Sequence, residues 1–201
     1  MTKDELLKCI AETGYNVGFG AKKHFSTYDL VEKTPGLISF FSMVFGIYAL
    51  VFDGLSTKFL SASFIVLGII GLYISLYDNM KSEYESSGKK LTKIYNDLAK
   101  LYRRAKNSNE DDIESLVSQL SEFEDDYYSS CQSKQILFSD WYAHYKFFWQ
   151  HQIDWVNEQK KFRLLRDKIP LTFSLTVLVV LAGLVVWWFE LVKAICSMVP
   201  S

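Results

Sequence analysis

The chain has 201 residues, 49% of them hydrophobic and 22% charged, with a formal net charge of -1. So even a balance gives no reason to expect direct contact with nucleic acid, and the averages alone would suit a soluble domain. What sets the class is the distribution: residues 34–52, 59–77 and 169–189 contain no Asp, Glu, Lys or Arg.

In chain order, residues 1–33 open the cytoplasmic part. Leu6, Leu7 and Ile10 mark a short amphipathic helix. The stretch Gly14-Tyr-Asn-Val-Gly-Phe-Gly20 reads as a break after it. It is neither a dinucleotide fingerprint nor a Walker loop, and no strand precedes it. A second helical piece begins near Ala21. Its Ala21-Lys22-Lys23-His24-Phe25 run, with Tyr28, mixes bases and aromatics beside the first uncharged run. Such a segment is expected at the inner membrane interface, its bases facing anionic headgroups.

The uncharged runs come next. Their 19, 19 and 21 residues correspond to about 28, 28 and 31 Å of helix. A hydrocarbon core is about 30 Å thick, whereas a buried helix in a water-soluble core needs only about 10–14 apolar residues. All three are therefore expected to span a bilayer. The first follows 33 mostly polar residues, which argues against a cleaved leader. Pro35 and Pro170 fall in the expected first turns of the first and third spans, where a missing N–H costs nothing. Residues 53–58, Asp-Gly-Leu-Ser-Thr-Lys, suffice only for a tight turn, so spans 34–52 and 59–77 form a hairpin.

Residues 78–168 read as a helical bundle. Leu91, Ile94, Leu98 and Leu101 recur at 3 and 4, a coiled-coil period. The second span is expected to run on into this helix, with Gly88 a possible bend. Asn107-Ser108-Asn109 breaks it, and Asp111, Asp112 and Glu114 supply first-turn acids for the next helix. Ile113, Leu116, Leu120, Phe123 and Tyr127 form a second stripe, and Trp141, His144, Phe148, His151 and Trp155 a third. Span 169–189 and an outer tail, 190–201, complete the chain, and the ending carries no CaaX box.

Orientation follows from the cations. Residues 1–33 hold five Lys and Arg, 53–58 one, 78–168 fifteen and 190–201 one. Lys160, Lys161, Arg163, Arg166 and Lys168 crowd the entry to the third span. The positive-inside rule places the N-terminus and residues 78–168 in the cytoplasm, and the hairpin tip and C-terminus outside. Trp187 and Trp188 fit an outer interfacial belt. The expected location is the cell (inner) membrane, crossed three times.

Small residues line the spans: Ser39, Ser42, Gly46 and Ala49 in the first; Ser61, Gly68, Gly71 and Ser75 in the second; Thr172, Thr176 and Gly183 in the third. In lipid such faces permit close helix approach and hydroxyl bonding. Two readings stand: packing of the hairpin on itself, or contact with other copies along a polar path. No ionisable residue lies inside a span, which weighs against a pump, transporter or voltage sensor. His144 and His151, seven apart, lack metal-ligand spacing. The acids Glu122, Glu124, Asp125 and Asp126 read as a solvated face, or as a contact for the basic segment at 160–168 or a partner. Cys9, Cys131 and Cys196 show no zinc or disulfide pattern. No catalytic constellation emerges, and no cofactor is expected.

The expected class is an all-α membrane protein: a transmembrane helical hairpin, a cytoplasmic long-helix or coiled-coil bundle, and a third C-terminal transmembrane helix. Gly14-Tyr15-Asn16 and Ala21-Lys22-Lys23-His24-Phe25 before the first span, the turn at 53–58 and the long helix from Asp78 together resemble the SLATT family. These domains associate with SMODS-type nucleotide synthases and SLOG nucleotide sensors. The resemblance covers roughly residues 5–165 and implies a membrane effector of a prokaryotic conflict or antiviral system. Such an effector would form an oligomeric pore once triggered by a partner: a nucleotide synthase, a reverse transcriptase or a nucleotide sensor. The third span departs from the family's two-span plan. The competing reading is a membrane-anchored coiled-coil scaffold or channel subunit that recruits a partner without conducting.

Overall fold

A computed structural model describes residues 1–52 and 58–198; within these, the side chains of Phe59, Asp111, Leu165 and residues 191–198 are left aside. The described residues are helical and contain no strand. The expected tight turn lies, apart from Lys58, outside them, as do residues 199–201. The helices are α1 (Lys3–Val51), α2 (Lys58–Ser75), α3 (Lys81–Asn107), α4 (Ile113–Ser130), α5 (Ser139–Gln150), α6 (Asp154–Lys160), α7 (Leu164–Asp167) and α8 (Leu171–Met198). They divide into two compact units, residues 1–161 and 162–201.

Helix α1 is one helix in two solvents. Thr2 caps it: its Oγ1 accepts from the Glu5 amide while Glu5 accepts from the Thr2 amide, so two otherwise orphaned donors are satisfied at once. From there it runs 49 residues, about 74 Å. Up to Val31 one face is buried, with Leu6, Ile10, Ala11 and Val17 fully so. From Leu37 onward large apolar side chains lie exposed, among them Phe40, Met43, Ile47 and Leu50. That pattern is wrong for water and right for lipid.

Three expectations about this region are corrected. The helix does not break at Gly14–Gly20. A Cβ on Gly14 would sit 2.2 Å from Trp155 Cη2, and one on Gly18 would sit 2.7 Å from Tyr95 Cδ2 and 2.8 Å from Phe147 Cε2. These glycines admit aromatic rings to the helix backbone, and the favourable contacts outweigh the weak helix propensity of glycine. Pro35 lies inside α1 rather than in a first turn. Its missing N–H falls where the half of α1 packed in the bundle gives way to the half with exposed apolar side chains. No second helical piece begins near Ala21, because residues 21–25 continue α1 without interruption.

Helix α2 does not run on into α3. A turn at Leu76–Tyr77 and a 3-10 turn at Asp78–Met80 intervene, and the joint is tied by Lys81, whose Nζ lies 2.6 Å from Glu32 Oε2 and 3.6 Å from Asp78 Oδ1. Helix α3 continues through Gly88, which sits under the Phe25 ring.

Helix α3 then descends antiparallel to α1. Phe25 faces Gly88, Gly18 faces Tyr95, and the Lys3 ammonium reaches the Ser108 carbonyl at 3.0 Å. Its buried positions Tyr84, Ser87, Gly88, Leu91, Ile94, Tyr95, Leu98, Leu101, Tyr102 and Ala105 keep the 3-and-4 spacing of a coiled-coil seam. Helix α4 returns along the pair, burying Leu116 and Leu120. Its acids are partly engaged: Thr13 donates to Glu124 at 2.7 Å, and Lys90 lies 4.0 Å from Asp126. Helices α5 and α6 close the bundle with aromatics. Trp155 packs against Tyr95 and Tyr102 with tilted rings, centroids 5.2 and 5.4 Å away.

In the second unit α8 starts directly after Pro170, whose carbonyl accepts the Ser174 amide at 3.1 Å. The helix continues to Met198, through most of the expected tail. Its apolar side chains, including Leu178, Val179, Trp187 and Trp188, are exposed.

Candidate functional site

Two places concentrate the residues singled out by sequence: the α1–α2 pair over its uncharged runs, and the layer of the bundle next to it. In the hairpin, Ile38, Ser39, Ser42 and Gly46 of α1 and Phe64, Leu67 and Gly68 of α2 line one open groove. An added Cβ at Gly46, Gly68 or Gly71 would meet nothing within 4 Å. Small residues therefore leave room on this face rather than drawing α1 and α2 into contact at those points. Gly71 is half-buried, while Ser61 and Ser75 are exposed, and Ser75 Oγ donates to the Leu72 carbonyl at 2.7 Å. On α8, Thr176 Oγ1 donates to the Thr172 carbonyl at 2.9 Å, and a Cβ on Gly183 would also meet nothing.

Beneath the hairpin, residues 131–138 form a strap between α4 and α5, gripped by three other helices. From α1, His24 is almost completely buried. Its Nδ1 lies 2.7 Å from the Gly20 carbonyl, and its Nε2 lies 2.9 Å from the Gln132 backbone nitrogen. A carbonyl can only accept and an amide can only donate, so Nδ1 carries the proton and the ring is neutral. Burial lowers the His24 pKa and Lys23 adds to this, against the opposing bond to Gly20. One turn on, Thr27 donates to Gln135 Oε1, and Gln135 Nε2 donates to the Gln132 carbonyl at 2.9 Å. From α3, Tyr84 donates to the Lys134 carbonyl at 2.6 Å. From the end of α2, Tyr73 Oη accepts the Leu137 amide at 3.2 Å, and the Lys134 ammonium sits 4.6 Å from the Tyr77 ring centroid.

Lys23 pairs with Asp140 at 2.8 Å. Lys22 is desolvated and lies near Lys146, both of which lower its pKa. Asp29 accepts from Lys146 and, at 2.8 Å, from Lys33. Burial raises the Asp29 pKa, but the two ammonium groups outweigh it and hold the carboxyl below its ordinary range. His144 and His151 sit against aromatic rings, and burial pushes His151 down to about 4. Among the described residues no cluster of His, Cys, Asp and Glu could hold a metal ion. The arrangement ties both hairpin helices to the bundle through breakable polar contacts.

A family model described as SMODS and SLOG-associating 2TM effector domain 6 matches residues 1–177. The chain belongs to this SLATT family. The match takes in α1 through α7 and the first turns of α8, so the hairpin, the strap and the bundle all lie within it. Nothing among curated proteins or solved structures matches the chain. The SLATT resemblance seen in Gly14-Tyr15-Asn16 and in Lys22–Phe25 thus falls on residues with defined work. Gly14 admits Trp155, Tyr15 packs edge-on to Phe147 at 5.5 Å, and His24 holds the strap. Sequence reasoning missed the strap itself. Gln132 and Gln135, close in sequence to Lys134 and far from any stripe, were its only signal.

Proposed function

We propose that this SLATT chain is a membrane effector of a prokaryotic conflict system whose hairpins assemble into an oligomeric pore. The N-terminus and the bundle lie in the cytoplasm and the C-terminus lies outside, as the cation distribution requires. The observation that carries the reading is the groove of Ser39, Ser42, Gly46 and Gly68. It is open in one copy and mostly apolar, with two serine hydroxyls, and its small residues leave room beside Ile38, Phe64 and Leu67 for a second helix to approach. The strap and its His24 bond are the element that a partner biases. A nucleotide synthase, reverse transcriptase or nucleotide sensor that binds one bundle arrangement better than another would shift the population of pores by that difference in affinity.

Gly68→Leu tests this. A Cβ at Gly68 meets nothing within 4 Å in the single copy, and the groove beside it is open, so insertion and bundle stability should be unchanged. Self-association, and the loss of membrane potential on expression with a triggering partner, should fall sharply. Full depolarisation by Gly68→Leu would contradict a pore built on this groove. Partner binding without any depolarisation, in the wild-type chain as well, would favour the scaffold reading that the long α1–α3 pair also permits.

A further inference from the structure

Most of the cytoplasmic unit hides its large apolar residues, but the end of the strap does not. Ile136 is buried with Val31, Ile74, Tyr77 and Tyr84, at the level where α1 and α2 leave their uncharged runs. The next two side chains turn outward: Leu137 is 61% exposed and Phe138 53%. Phe138 has φ 66°, ψ 0°, a left-handed conformation that costs a bulky residue of order 1 kcal/mol or more. A non-glycine residue is thus held in an unfavourable backbone so that two apolar side chains project side by side. The Phe138 ring meets Trp141 at 4.8 Å between centroids and the Phe138 carbonyl accepts the Tyr142 amide at 3.2 Å, yet more than half of the residue stays exposed.

We propose that Leu137 and Phe138 insert into the inner leaflet, giving the bundle a foot in the lipid headgroup region separate from the spans. Depth supports it. The Leu137 amide is bonded to the hydroxyl of Tyr73, which lies within the second uncharged run, and Tyr73 and Tyr77 are the residue type favoured at a membrane interface. Continuity supports it too. Leu72 and Leu76 of the same run are exposed, so the lipid-facing surface of α2 reaches the level of the strap. Charge supports it: Lys134 stands beside the tip, over Tyr77, where its ammonium can meet anionic headgroups. Helix α5 then leads away from the membrane, since Phe147 lies at Gly18, far down α1. Only the tip is placed to enter lipid. Because the strap also carries the His24 and Thr27 bonds, lipid contact is coupled to the joint between hairpin and bundle.

The inference rests on α2 spanning the bilayer, and the test separates the two. In the full-length chain, with Cys9, Cys131 and Cys196 replaced by serine, nitroxide labels are placed at Leu137→Cys, Phe138→Cys, Leu72→Cys and Tyr128→Cys. Collision rates with oxygen and with a water-soluble nickel chelate are then read in nanodiscs of phosphatidylcholine and phosphatidylglycerol. Tyr128, 74% exposed on α4, reports water, and Leu72 reports hydrocarbon. Labels at 137 and 138 should show nickel access several-fold below that at 128, with raised oxygen access. Nickel access at 137 and 138 equal to that at 128, with Leu72 still in hydrocarbon, would overturn the foot alone. Exclusion of both reagents with spin–spin broadening would assign the tip to a second copy and overturn it also. Water access at Leu72 would remove the spanning reading and the foot with it. A label that disturbs folding is bypassed with the unmodified chain and diazirine-bearing lipid: adducts on residues 137–138 are expected, and adducts confined to the three uncharged runs would refute the foot.

Discussion

Gly14 and Gly46 lie on the same helix, yet substituting them should give opposite results. A methyl group at Gly14 would collide with Trp155, whose ring cannot retreat because Tyr95 and Tyr102 hold it. Gly14→Ala should therefore destabilise the bundle by about 1–3 kcal/mol, the usual cost of overpacking. Gly46→Ala meets nothing within one copy and should leave the melting temperature unchanged or slightly raised. Thermal denaturation in detergent, followed by near-ultraviolet dichroism of the packed aromatics, checks both. This distinction was not legible in the sequence. A glycine run reads equally well as a break or as a seat for a ring, and only the partner, 141 positions away in the case of Trp155, decides. The apolar stripe of α3 was legible, because its period depends on near neighbours alone.

At the scale of elements, the bundle should weaken in mild acid through its histidines. Their pKa values are lowered in the folded chain, for His24 and His144 chiefly by burial and for His151 by burial to about 4. Between about pH 6.5, where an unfolded histidine titrates, and those lower values, the unfolded chain binds more protons than the folded one. Stability therefore falls as pH drops through that window. A protonated His24 also loses the lone pair that accepts the Gln132 amide. The melting temperature should decline from pH 7 to pH 5, and a His24→Asn variant should start lower and decline less steeply. A flat profile in the wild-type chain would contradict the neutral-imidazole assignment. Helix existence and the end of α3 at Asn107 were readable from period and breakers. The α2–α3 joint was not, since no Gly or Pro marks Leu76–Met80. The 3-10 turn there is set by the tyrosines, Lys81 and Glu32 that tie the two helices to the strap and to α1.

At the scale of the molecule, solvent decides the fold. One continuous α1 buries its face in a bundle up to Val31 and then exposes Phe40, Phe41, Met43 and Leu50. The same chain could not show both faces to water. This was the most legible feature in the sequence, because three blocks without a charge need no partner to be recognised. The face on which the proposed pore would assemble was far less so. The small-residue faces name candidates, but sequence cannot say which of them are covered, and Gly68 proves to be exposed in an open groove beside α1 while Gly71 is half-buried. The most direct measurement of the central claim is partitioning of the full-length chain after lysis. It should pellet with membranes, resist extraction by alkaline carbonate, and become soluble only in detergent. A chain recovered from the cytosolic fraction, monodisperse in buffer without detergent, would contradict the account.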